Sequence, residues 1–164
     1  MTKLLAIDPG STDSAYVVID TDKDLAPLWF DKIPNEGLLH LPHLHTADQV
    51  AIEMVAHYGS GMPAGKTVFD TCVWIGRYVQ ARAWHPNNAV LIPRKTVVTH
   101  LCGSPKGGDS NVIQALIDRF APNTRNHGKG IKNEPGFFWG FHTDIWQSFA
   151  LAVYYVDTHI KAVA

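Results

Sequence analysis

Cysteine is almost absent from this chain: Cys72 and Cys102 are the only two in 164 residues, and they form no Cys-x-x-Cys pair. That excludes a disulfide-stapled fold and a cysteine-built zinc site, and it fits a reducing compartment. No apolar run reaches the length needed to cross a bilayer, and no basic segment with a signal-like apolar core opens the chain. The expected location is therefore the cytoplasm of the cell that makes it. Internal repeats and low-complexity tracts are also missing, and with 46% hydrophobic residues one domain over 1–164 with a proper core is expected.

A large charge of either sign is lacking as well. The formal net charge is −1, which taken alone argues against a nucleic-acid binder. The distribution says more than the sum. From Arg77 to Lys132 there are nine basic residues, Arg94, Lys95, Lys106, Lys129 and Lys132 among them, against two acids, whereas the rest of the chain has five basic residues and thirteen acids. A protein that holds cations at one place and phosphates beside it has this character.

What is present begins with Lys3-Leu-Leu-Ala-Ile-Asp8-Pro-Gly10, an apolar run that ends in one carboxylate and then a turn. Pro9 fixes φ and Gly10 permits a positive one, so Asp8 is read at a strand end, with 14–20 as the returning strand. Val50-Ala51-Ile52 ends the same way in Glu53. A carboxylate set among Leu4, Ile7 and Ile52 is costly unless something positive meets it, so the pair suggests a cation site. Asp144, opening an apolar helix, adds a third acid. Asp-Pro-Gly by itself is also an ordinary turn former.

The remaining pattern predicts a strand at 26–31 closing a meander, a strand at 49–54, a helix over 66–83 and a strand at 89–93. A short helix over 95–101 and a helix capped by Asp109 and running through Phe120 follow. In the 66–83 helix Val68, Cys72, Ile75 and Val79 form the apolar stripe, and Tyr58 to Gly65 reads as a turn. His40, His43 and His45 read as surface histidines, because Pro42 breaks any shared helical face. Residues 121–139 read as a long basic, glycine-rich loop whose Phe137, Phe138 and Trp139 are available for stacking on bases.

Ile7-Asp8-Pro-Gly10, Ala51-Ile-Glu53 and Asp144-Ile-Trp-Gln-Ser-Phe-Ala-Leu-Ala, in this order along nearly the whole chain, resemble the RuvC family of Holliday-junction resolvases. The bacteriophage branch fits best, on Glu53-Met-Val-Ala-His-Tyr-Gly-Ser-Gly-Met-Pro and Val68-Phe-Asp-Thr-Cys-Val-Trp-Ile-Gly-Arg77. The resemblance implies an α/β, RNase H-like fold: a mixed five-stranded sheet flanked by helices. It implies a homodimer that nicks opposed strands of a four-way DNA junction, and Trp74, Ile75 and Tyr78 are the candidate dimer face. Its metal ligands map onto Asp8, Glu53 and Asp144, and the fourth position is here the neutral Gln147, for which His142 or Asp109 would compensate.

Two Mg²⁺ or Mn²⁺ ions about 4 Å apart are then expected, with Asp8 bridging, Glu53 on one and Asp144 on the other. The expected activity is crossover-junction endodeoxyribonuclease. The rivals are a broader RNase H-like nuclease, a non-catalytic junction-binding protein, and an actin-like phosphotransferase, for which 164 residues leave no room for the second domain.

Overall fold

A computed structural model describes residues 1–56 and 65–162, so the turn expected at 58–65 lies, but for Gly65, outside the described residues. Strands β1 (Lys3–Asp8), β2 (Asp13–Asp20) and β3 (Pro27–Pro34) form an antiparallel meander. β4 (Gln49–Met54) then pairs parallel to β1, and β5 (Val90–Pro93) parallel to β4, giving the order β3-β2-β1-β4-β5. Helices α1 (Asn35–Leu39), α2 (Pro42–Thr46) and α3 (Lys66–Ala81) cover one face. The other carries α4 (Arg94–Cys102), α5 (Asp109–Phe120) and α6 (Ile145–Tyr155). This is the mixed five-stranded sheet flanked by helices that the resemblance implies.

The two-residue alternation of a strand divides each one between two cores. Leu5 and Ile7 of β1 pack toward α1, α2 and α3, together with Val50 and Ile52 of β4. Leu4 and Ala6, with Ala51, pack toward α6. Every residue of α6 except Tyr154 is buried, as its all-round apolar sequence requires. The entrance to β4 is fixed by Arg82, which is 1% exposed and donates to the carbonyls of Leu44 and Asp48 at 3.1 and 3.3 Å and to that of Ala47.

Several local expectations are corrected. Pro42 starts α2 rather than breaking a helix, because at a first helical position its missing N–H costs nothing. Gly108, not Asp109, occupies the N-cap of α5, its N–H donating to Asn111 Oδ1 at 2.9 Å. The buried stripe of α3 is Thr71, Ile75 and Tyr78. Ile75 and Tyr78 are thus core, and Trp74 is half-buried beneath Arg77 at 4.2 Å, so the expected dimer face points inward. The outward face carries Phe69 and Val73 instead. Residues 121–139 are not one open loop: Gly130–Ile131 and Glu134–Pro135 form a small ribbon, β6 and β7. Phe138 is fully buried and Phe137 stacks on Phe120 at 5.2 Å, leaving Trp139 as the exposed aromatic of the three.

Candidate active site

Ile7 pairs with Ile52 across the parallel β1–β4 ladder, so Asp8 and Glu53 are the next residues on neighbouring strands. Alternation places both side chains on the α6 side of the sheet, in line with Leu4 and Ala6 and with Ala51. Asp144 occupies the N-cap position of α6 but makes no capping hydrogen bond with its side chain. It is preceded by Thr143 at φ 40°, a conformation unfavourable for a β-branched residue and typical of backbone held for a purpose. Asp8, Lys32, Thr67, Thr71 and Asp144 line a cleft of about 410 Å³ together with the 9–13 turn.

That turn is held from behind. Asn35 Nδ2 donates to the Gly10 carbonyl at 2.9 Å, and the Gly10 N–H donates to Ser14 Oγ at 3.2 Å. Ser14 Oγ donates to Asn35 Oδ1 at 2.6 Å, and Tyr78 donates to the same oxygen at 3.1 Å. Burial pushes the Tyr78 hydroxyl up to about 12, so it remains a donor across the physiological range. Glycine is required at position 10 because a Cβ would lie 2.3 Å from the Asp13 carbonyl oxygen, not because of a positive φ. The Ser14–Asn35–Tyr78 network escaped sequence reading.

The three acids feel one another. Burial, then the Glu53 and Asp144 carboxylates, push Asp8 well above the usual carboxylate range. Burial raises Glu53 to about 6, although the Arg94 guanidinium pulls the other way. Two protein cations stand among them. Lys32 Nζ lies 2.5 Å from Asp144 Oδ2. Arg94 Nη1 donates to Gln147 Oε1 at 3.1 Å and to Glu53 Oε2 at 3.5 Å, while Nη2 pairs with Asp109. No hydrogen bond or ion pair reaches the Asp8 carboxylate among the described residues.

Arg94, expected among the phosphate contacts, is therefore placed with the acids. Asp109 joins the cluster through Arg94, and the exposed His142 ring bonds its neighbour Thr143 at 3.1 Å. Lys106 is exposed beyond α4, and Lys129 and Lys132 border the β6–β7 ribbon. His43 stacks on Trp29 at 4.6 Å. Among the described residues, no three carboxylate, histidine or cysteine side chains stand together as a ready cation cage. The donor chemistry still suits a hard cation at Asp8, a buried-edge oxygen ligand repelled by two other carboxylates and met by no protein donor. At Asp144 one carboxylate oxygen, Oδ2, is engaged by Lys32, and Gln147 Oε1 is engaged by Arg94.

No protein-family model matches the chain, and no curated protein matches it. Solved structures do. Thermus thermophilus RuvC in complex with Holliday junction substrate superposes with a TM-score of 0.70 at 13% identity, covering 100% of this chain and 98% of that one. A second Thermus thermophilus RuvC structure gives 0.64 at 14% identity, with 96% of both chains covered. The fowlpox virus Holliday junction resolvase gives 0.58 at 13% identity, over 96% of this chain and 99% of that one. At such identities the likeness speaks for architecture, and by strand order, flanking helices and near-complete coverage this chain has the RNase H-like fold that those resolvases share.

Proposed function

We propose that this protein is a divalent-metal-dependent endonuclease that resolves four-way DNA junctions. The observation that carries this reading is the convergence of Asp8, Glu53 and Asp144 on one side of the sheet, where two adjoining parallel strands end beside the start of α6. The same fold in RuvC and in the fowlpox virus resolvase supports it, since both were seen bound to Holliday junction DNA. Asp8, Glu53 and Asp144 are the acids that would hold Mg²⁺ or Mn²⁺, with Gln147 at the edge of the site. Such a cation, when bound, makes water nucleophilic and stabilises a leaving 3′-oxygen.

The protein's own residues account for the rest. Lys32 and Arg94 neutralise Asp144 and Glu53, so a phosphate can approach a site that otherwise repels it. Lys95, Lys106, Lys129 and Lys132 offer backbone-phosphate contacts outside the acids. Paired nicks need two copies, and the exposed Phe69 and Val73 on α3 are the surface for a homodimer. The setting is the cytoplasm of a bacterial host, with the enzyme of the bacteriophage kind that the Glu53–Pro63 and Val68–Arg77 segments resemble.

One incubation tests the reading: a synthetic four-way junction, a linear duplex and an RNA–DNA hybrid, each with Mg²⁺, Mn²⁺ or EDTA. Junction cleavage that EDTA abolishes is expected. Equal cleavage of hybrid or duplex would replace it with a broader nuclease. The engagement of Glu53 and Asp144 by Arg94 and Lys32 favours one second reading, a junction-binding protein without cleavage. Retardation of the junction in a gel with no products in any metal would establish that instead.

A further inference from the structure

The site has an unusual charge balance. Asp8, Glu53, Asp144 and Asp109 contribute four carboxylates, and Arg94 and Lys32 contribute two cations in direct contact with three of them. Asp8 is the one of the four that neither cation contacts directly, although both lower its carboxyl from a distance. A second divalent ion would bring two further positive charges into a cluster that already holds a guanidinium and an ammonium.

Geometry gives the same answer. In the two-ion arrangement expected from the sequence, one ion draws on Glu53 and the other on Asp144 with position 147, and Glu53 and Gln147 are both joined to the same guanidinium, at 3.5 and 3.1 Å. Position 147, a residue 6% exposed in the first turn of α6, offers an amide oxygen that carries no net charge. An arginine is always charged and presents a planar fork of donors, so it serves as a permanent cation between two oxygen acceptors where a divalent ion would have to shed water to enter. A carboxylate at position 147 would favour a metal there; an amide oxygen, accepting one N–H, suits the guanidinium.

We propose that the site takes a single divalent cation, at Asp8, and that the Arg94 guanidinium fixed between Glu53 and Gln147 stands where a second would be. This rests on the metal-dependent reading above. Arg94 carries its charge unchanged throughout, and no bond to it forms or breaks.

The test is the number of Mn²⁺ ions bound per chain, measured without DNA by calorimetry and by the loss of the free-ion electron paramagnetic resonance signal. The wild type is expected to bind one ion tightly, and Asp8→Asn to lose it. The double variant Arg94→Met, Gln147→Asp, which removes the fixed cation and restores a carboxylate, is expected to bind two, with its fold checked by circular dichroism. Two tight ions on the wild type overturn the inference and leave the metal-dependent reading standing. One ion on a folded double variant also overturns it. No Mn²⁺ on the wild type removes the inference together with the reading on which it rests. Should the double variant fail to fold, the wild-type count decides.

Discussion

Arg94 Nη1 lies 3.1 Å from Gln147 Oε1, and this one contact ties the residue that follows β5 to the first turn of α6. Gln147 is 6% exposed, so its side of the contact is shielded, while the Arg94 side chain is 35% exposed. Gln147→Leu keeps most of the volume and leaves the arginine short of an acceptor. The expected cost is about 1–2 kcal/mol in urea unfolding at pH 7. An unchanged midpoint would mean that Gln147 is only packed.

Asp8→Asn should act in opposite directions on stability and on activity. Burial and two carboxylate neighbours disfavour a charged Asp8, so the neutral isostere should raise the melting temperature of the metal-free protein, by roughly 1 kcal/mol in stability. Junction cleavage should vanish, while junction affinity stays or improves. Wild-type cleavage by this variant would remove Asp8 from the site.

Asp157 gives the protein a defined acid limit. Burial alone would raise its carboxyl, but Arg119, at 2.6 and 2.8 Å, and His100, at 2.9 Å, outweigh burial and hold it at about 2. The folded value lies below the unfolded value of about 3.9, so this stabilisation is complete above about pH 5 and is lost as pH falls toward 2. Asp157→Asn should cost about 1–3 kcal/mol at neutral pH and much less near pH 2. Urea melts at pH 7 and pH 2.5 measure the difference, and equal losses at both would assign it to packing.

Removing the charges of Lys129 and Lys132 together should weaken binding to all DNA sequences alike. The slope of log affinity against log salt should become shallower by about 1–2. Filter binding at several salt concentrations reads this directly, and an unchanged slope would move the phosphate contacts to Lys95 and Lys106.

Phe138 and Trp139 are adjacent in sequence and unlike in the structure. Phe138 is fully buried against Phe141, Trp146 and Phe149, so Phe138→Ala should cost about 3–5 kcal/mol. Trp139 is 45% exposed, and Trp139→Ala should cost well under that figure. Paired denaturation curves separate the two; comparable losses would mean that Trp139 packs as well.

The fold was legible because short apolar runs bounded by turn residues mark β1, β2, β4 and β5, and each ends within a residue or two of its expected limit. Asp8, Glu53 and Asp144 were legible as strand-end and helix-start acids. Arg94 was read as a phosphate contact because sequence shows a basic pair after Pro93 and nothing of the distant Glu53, Gln147 and Asp109 that hold it. The 121–139 segment misled for a related reason. Its glycines suggest an open loop, but at Gly130 and Gly136 a Cβ would lie 2.3 Å from backbone oxygen, so these glycines serve close packing. The α3 stripe was misplaced because Thr71 and Tyr78 are polar enough to be read as outward-facing, while Tyr78 satisfies its hydroxyl on Asn35.

The shared sheet face of Asp8 and Glu53 restricts how such a gene can drift. Inserting or deleting a single codon within β1 or β4 would invert the parity of the strand and send one acid to the α3 side, with Leu4 or Ile7 exchanging cores. The turn around residue 133, between β6 and β7, carries no such parity, so length variation among related chains should gather there and spare the two strands.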